Sequence, residues 1–237
     1  MPAPNAAAHT QAAPHGTPHA PWRFGVDAPA FAGLWQSIGA QGDPFPTWQA
    51  LHTAWCEPQR RYHTLEHLGE CLQHLRLLQA HAQDLPVLAM ALWFHDAVYD
   101  PRASDNEARS AAWAAEALTA ARVTPARVAA VVQLVLATCH GGGTPDTSAC
   151  GALDAALLTD IDLAILAAEP AQFDRYEAQV RAEYAWVPDD AFAAGRSRLL
   201  RALLAQPRLY SQAVAPLGWE TRARDNLARS LARLGAG

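Results

Sequence analysis

Three short stretches of this sequence concentrate residue types that bind metal ions or move protons. The first, Arg61-Tyr62-His63-Thr64-Leu65-Glu66-His67, sets two histidines four residues apart at the start of a leucine-faced segment. On a helix that spacing turns both imidazoles to one side. The second, Leu92-Trp93-Phe94-His95-Asp96-Ala97, closes an apolar run that begins near Leu85 with an adjacent histidine and aspartate. Polar groups in such a run are costly unless each finds a ligand or a hydrogen bond, so a metal ion accounts for the pair. The third, Leu157 to Leu166, inserts Asp160 and Asp162 into another apolar helix. Two residues apart, they face different directions, so at most one reaches a given ion while the other orients a ligand from behind. Each feature alone also fits a structural hydrogen bond; their conjunction points to a site.

Imidazole with carboxylate ligation suits Mn, Fe, Co, Ni or Zn, as one ion or two, without choosing among them. Such an ion lowers the pKa of water toward neutrality and polarises a phosphoryl oxygen, which makes phosphate-ester hydrolysis the natural reaction. A small phosphorylated substrate then needs positive donors. The chain contains no lysine, and all 18 basic residues are arginine, which excludes a P-loop lysine and a Schiff-base lysine. Arginine must therefore hold the phosphate, through a fork that matches its oxygens. Arg61, beside the histidines, is the first candidate and Arg181 the second, ahead of Arg102 and Arg109.

The elements that position these residues read as helices. From Trp22 onward apolar residues recur at three and four, as in Leu65, Leu68, Leu72, Leu75 and Leu78, the pattern of a one-faced helix. Breakers at Gly42-Asp43-Pro44, Pro58, Asp84-Leu85-Pro86, Asp100-Pro101, Thr124-Pro125, Gly141 to Pro145, Pro170, Pro188, Pro207 and Leu217-Gly218 divide the chain. They leave about nine or ten helix-sized segments. Ser104-Asp105-Asn106-Glu107 has capping-box spacing, and Thr124-Pro125 sets a cap before a proline at the first helical position. The expectation is an all-α protein with one compact helical domain over 22–237. Residues 1–21, rich in Pro, Ala, His and Thr, are expected to be a flexible tail.

Hydrophobic residues make up 51% and charged residues 17% of the 237-residue chain, enough for a sizeable core. A net charge of −5 offers no general pull toward nucleic acid or an anionic membrane. Cys56, Cys71, Cys139 and Cys150 form no C-x-x-C pair and read as buried free thiols. The apolar stretch Val128 to Ala137 is too short to span a bilayer, and no secretory leader is evident. A cytoplasmic protein is expected.

A histidine on one helix, an adjacent His-Asp on a later one and a distant Asp resemble the HD-domain superfamily of metal-dependent phosphohydrolases. The likeness runs from about Arg61 to Trp186. The wording YH-x3-H, ALWFHDAVYDP, SDNE, D-x-D-L-A-I-L and R-x-E-Y-x-W is similar to a small bacterial branch of predicted HD hydrolases. The resemblance implies an HD-type helical domain, with His67, His95, Asp96 and Asp162 as metal ligands and Asp96 also available to catalysis or to a second ion. Asp162 matches the ligand position better than Asp160, the substitute. YH-x3-H is also similar to the cyclic-nucleotide phosphodiesterase version of the site, which implies that His63 is the proton donor. Thr64 stands where that pattern has Asn, and the large domain of that family is absent, so cyclic-nucleotide hydrolysis is not implied. His140, at a helix C-terminus that favours its protonated form, is a candidate for a second metal or a phosphate. Glu107 is a candidate supporting group.

Two rival readings exist. His63-Thr-Leu-Glu66-His67 matches the H-x-x-E-H of inverzincin metallopeptidases, in which both histidines bind zinc and Glu66 activates water. That family draws another glutamate from downstream, yet none occurs between Glu116 and Glu169. The motif also leaves His95-Asp96 and Asp162 unexplained. The other rival is a non-catalytic HD module that binds a ligand and uses the metal as a brace.

Overall fold

The polypeptide is built around one helix that is apolar on every side. In the computed structural model, which describes residues 22–139 and 147–235, every residue from Val87 to Phe94 of that helix is buried. A helix without a polar face is stable only when other elements surround it, and here five do. With α1 (Ala28–Ser37), α2 (Phe45–Trp55), α3 (Leu65–Leu78) and the central α4 (Leu85–Phe94) placed, the chain continues through α5 (Asn106–Ala120), α6 (Pro125–Ala137) and α7 (Ala152–Asp162). Helices α1, α3, α5, α6 and α7 all pack on α4. Helices α8 (Pro170–Glu183), α9 (Asp189–Ala205) and α10 (Trp219–Leu234) complete the set, with 3-10 turns at Gln79–His81, Leu163–Ala167 and Gln212–Leu217. The ten α-helices agree with the apolar periodicity, and no strand occurs among the described residues. The 1–21 segment lies outside the described residues, as do His140 and the glycine run that follows it.

Local chemistry sets the helix starts. Asp27 accepts a hydrogen bond from the Ala30 amide at 2.8 Å, Asp84 from Val87 at 3.3 Å and Thr64 from Glu66 at 3.3 Å. Each satisfies an amide that the helix itself leaves unpaired. Thr64 as the cap means that α3 begins at Leu65, so His63 sits in the preceding loop. The expected same-face helical histidine pair is therefore not formed. The capping box is also displaced: Asp105 occupies the cap position of α5 without a side-chain bond, while Asn106 exchanges hydrogen bonds with the Asp100 backbone at 3.1 and 2.9 Å. Thr124 precedes Pro125 at the start of α6, also without a side-chain bond.

Three polar tethers hold the helix ends that matter. Buried Asp154 of α7 accepts the amides of Gln83 and Asp84, at 2.8 and 3.0 Å, and so fixes α7 to the entry of α4. The Trp55 indole N–H donates to the Trp93 carbonyl at 3.0 Å, near the exit of α4. Asn226 of α10 donates to the carbonyls of Leu166 and Ala168, both at 2.9 Å, and pins the turn after Asp162. Of the four thiols, Cys71 and Cys150 are buried but Cys56 and Cys139 are exposed, so burial holds for half of them. No helix is long and apolar enough to cross a membrane among the described residues.

Candidate metal centre

Three elements end or begin at one point: the first turn of α3 brings His67, the exit of α4 brings His95 and Asp96, and the last residue of α7 is Asp162. The ring atom His67 Nε2 lies 3.2 Å from His95 Nε2, 3.3 Å from Asp162 Oδ1 and 4.0 Å from Asp96 Oδ2. His95 Nε2 lies 3.2 Å from Asp96 Oδ2 and 3.4 Å from Asp162 Oδ1. Donors about 2.1 Å from a shared ion stand ~3.0 Å apart at right angles, ~3.4 Å apart in a tetrahedron and ~4.2 Å apart across the ion. These five separations fall in that span, as expected if His67, His95 and Asp162 share one divalent cation with Asp96 beside them.

The surroundings prepare these atoms for that duty. His95 Nδ1 donates to the Leu92 carbonyl at 2.8 Å, which leaves the Nε2 lone pair aimed at the cluster. Both imidazoles are buried. Burial lowers the pKa of His67 despite its hydrogen bond to Asp162. At His95 burial acts in the same direction, but the adjoining Asp96 and Asp162 carboxylates overcome it and raise its pKa well above the usual imidazole value. Burial would raise the pKa of Asp96, yet His95 beside it holds it below the carboxylate range. The raised His95 and lowered Asp96 pKa values favour a protonated imidazole against a charged carboxylate, and a cation bound there would displace that proton.

Cys71, one turn along α3, belongs to the same cluster: its sulfur and the donors of His67, His95 and Asp162 lie within 4.8 Å of one another, a group able to hold a metal ion. The sulfur is 3.7 Å from both ring nitrogens of His67. A point equidistant from Nδ1 and Nε2 lies off the Nε2 lone-pair axis, so an ion ~2.1 Å along that axis is on the order of 4 Å from sulfur, beyond the ~2.3 Å of a zinc–sulfur bond. Burial also pushes the Cys71 thiol pKa far up, which keeps it in the protonated form that binds metals poorly. Asp96 Oδ2, 3.2 Å from His95 Nε2 and 4.0 Å from His67 Nε2, stands beside this group as an alternative fourth donor to the Cys71 sulfur.

His63 stands one ring away, its centroid 6.0 Å from that of His67. Its Nδ1 faces Glu183 Oε2 at 2.7 Å, and its ring stacks on Tyr99 at 4.1 Å. Glu183, which entered the sequence reading only as the glutamate of R-x-E-Y-x-W and without a role, organises this corner. Its Oε1 accepts the backbone amides of Arg61, Tyr62 and His63 at 2.7, 2.9 and 3.1 Å, and its Oε2 also accepts the Tyr99 hydroxyl at 2.9 Å. Burial works against the charge, but the His63 contact and the amides hold the Glu183 pKa at about 2. A signal was present in the spacing: Phe173, Val180 and Glu183 share the buried face of α8, so a carboxylate occupies a core-facing position at a helix C-terminus, where a negative charge is disfavoured. Arg60 is a second such residue. It is buried and donates to the carbonyls of His63, Asp96 and Ala97 at 3.1, 2.8 and 3.1 Å. It thereby ties the His63 loop to the exit of α4.

Other sequence candidates have different duties. Asp160 is buried and accepts both the amide and the hydroxyl of Ser211, so it tethers the 3-10 turn at Gln212–Leu217. Arg61 donates to the carbonyls of Pro58 and Arg60 at 2.6 and 3.1 Å. Arg181 holds Asp189 and the carbonyls of Tyr184 and Val187, which fixes the α8–α9 corner. Arg102 lies over the Trp186 ring at 4.5 Å, and Arg109 faces Asp105 at the surface. None of these four guanidinium groups faces the metal donors. Glu107 lies in the first turn of α5, outside the donor cluster, and His140 lies outside the described residues. Glu66 is exposed while His63 is engaged by Glu183, so the arrangement that a His-Glu-His peptidase needs is not assembled. No protein-family model, curated protein or solved structure matches this chain.

Proposed function

We propose that this protein is a metal-dependent phosphohydrolase of the HD type. The observation that carries the reading is the convergence of His67, His95, Asp96 and Asp162 within 3.2–4.0 Å in the five measured separations. His67, His95, Asp96 and Asp162 hold the cation. When bound, it lowers the pKa of water and polarises the phosphoryl group of a small phosphorylated substrate.

His63 serves the leaving group. Glu183 accepts from Nδ1–H and fixes the imidazole, so Nε2 is the atom left to deliver a proton to the departing oxygen. Stacking on Tyr99 and the Arg60 bond to the His63 carbonyl limit the motion of this ring. Preorganisation of that kind is what a proton donor outside the ligand set requires.

The test is a screen of phosphomonoesters, phosphodiesters and nucleotides with protein loaded with Mn, Co or Ni, followed by His63→Asn. Turnover is expected with at least one ester, and His63→Asn is expected to lower it by about 10²- to 10⁴-fold with metal content unchanged. No turnover by fully loaded protein contradicts the proposal and favours a non-catalytic binding module. Peptidase activity that depends on Glu66 contradicts it in favour of the metallopeptidase.

A further inference from the structure

A cavity of about 210 Å³ adjoins the metal donors on the α10 side of α3. His67 and Asp162 form part of its wall, and Tyr62, Glu70, Trp219 and Arg222 line the rest. A smaller recess shares Tyr62, His67 and Glu70 with it and adds Arg175. Arg222 and Arg175 are exposed, so two guanidinium groups stand at the outer edges of a space whose inner end is the metal centre. These are the positions that Arg61 and Arg181 do not supply.

Tyr62 marks the inner end. It is only 8% exposed, and its hydroxyl is buried without a hydrogen-bond partner. Asp162 and Glu70 line the same cavity as Tyr62. A buried phenol without an acceptor costs free energy on the order of 1–3 kcal/mol, so its persistence calls for an acceptor that the protein does not provide. A ligand oxygen beside Asp162 supplies one.

Size and polarity narrow the ligand. The volume is below the roughly 300–1,000 Å³ of sites that enclose drug-sized molecules, too small for a dinucleotide. Glu70 keeps one oxygen occupied by the Gln172 amide at 2.8 Å, and Glu169 adds a second carboxylate to the lining. Carboxylates facing the organic part of a ligand need donors from it, and hydroxyl groups are the donors compatible with an anion.

Building on the phosphohydrolase reading, we propose that this cavity is the substrate pocket. It takes a compact, hydroxyl-bearing phosphate monoester whose phosphoryl oxygen accepts the Tyr62 O–H, with Arg222 at the rim and the ester oxygen at the Tyr62 end, toward His63, whose ring lies 5.0 Å from that of Tyr62 and outside the cavity lining. The probes are inorganic phosphate, measured by calorimetry on Mn-loaded protein, and turnover of glycerol 3-phosphate against adenosine 5′-monophosphate. Tyr62→Phe removes only the hydroxyl. It is expected to keep metal content, to melt at the same or a higher temperature, and to bind phosphate about 10- to 100-fold more weakly, the range for one hydrogen bond to a charged group. Arg222→Gln, which also gives up the Nε–H bond to the Ala167 carbonyl at 2.9 Å, is expected to keep metal content and to weaken phosphate by about two- to fivefold. Glycerol 3-phosphate is expected to have the higher kcat/KM. Phosphate binding unchanged in both variants, or preference for the nucleotide, overturns the pocket while leaving phosphohydrolase activity standing. Conversely, weakened phosphate binding in Tyr62→Phe, with no ester turned over by the wild-type protein, supports the pocket and removes the catalytic reading.

Discussion

Replacing Glu183 by glutamine changes one charge and almost no volume, at a carboxylate that serves five donors: three consecutive backbone amides, His63 Nδ1 and the Tyr99 hydroxyl. Its pKa falls from 4.5 to about 2. That difference corresponds to about 3 kcal/mol of stability. Because the folded value is the depressed one, this stability is complete above about pH 4.5 and is lost as pH falls through about 2. Glu183→Gln is therefore expected to lose about 3 kcal/mol at pH 7, a fall of about 6–12 °C in Tm for a chain of this size. Urea unfolding from pH 7 to pH 2 should show the two proteins converging at the acid end. The amide also presents an N–H where His63 Nδ1 needs an acceptor, so the ring changes tautomer and turnover should fall with metal content unchanged. A variant that melts within about 1 °C of wild type and keeps the same acid limb refutes the assignment of Glu183 as the organiser of the His63 loop.

Asp162→Ala should abolish stoichiometric metal binding, measured by elemental analysis. Asp160→Ala should keep the metal and lose roughly 1–3 kcal/mol, because Ser211 loses its buried acceptor; the reverse pattern contradicts the ligand assignment. Arg60→Ala should cost at least about 3 kcal/mol in urea unfolding, since three carbonyls at the junction of the His63 loop and α4 lose one charged donor. Metal affinity should weaken as pH falls, because His95 in the metal-free site has a raised pKa and the proton competes with the ion. Calorimetry in buffers of different ionisation enthalpy should find about one proton released per ion bound at pH 7, and no release contradicts that electrostatic description.

Much of the scaffold was legible because burial imposes it. A run as apolar as Leu85 to Phe94 has to be central, and a His-Asp pair at its exit has to find partners. The choice of Asp162 over Asp160 was less legible. Both side chains are largely shielded and both lie near the end of α7, and only the position of Ser211, 51 residues away, separates their duties. The arginines were hard to place for a related reason. Proximity in sequence favoured Arg61, but its guanidinium folds back on its own loop, while its neighbour Arg60 turns inward to α4. Arg175 and Arg222 approach the site from α8 and α10, elements whose placement depends on long-range packing. Glu183 lies 120 residues from His63, and local pattern cannot register such a pairing even though the core-facing spacing marks the carboxylate as unusual.

The metal centre is tested most directly by X-ray absorption on Co- or Zn-loaded protein. The arrangement of His67, His95, Asp96 and Asp162 predicts a first shell of nitrogen and oxygen at about 2.0–2.2 Å, with outer-shell scattering from two imidazoles and none from sulfur. A sulfur scatterer near ~2.3 Å, or scattering from a single imidazole, contradicts it.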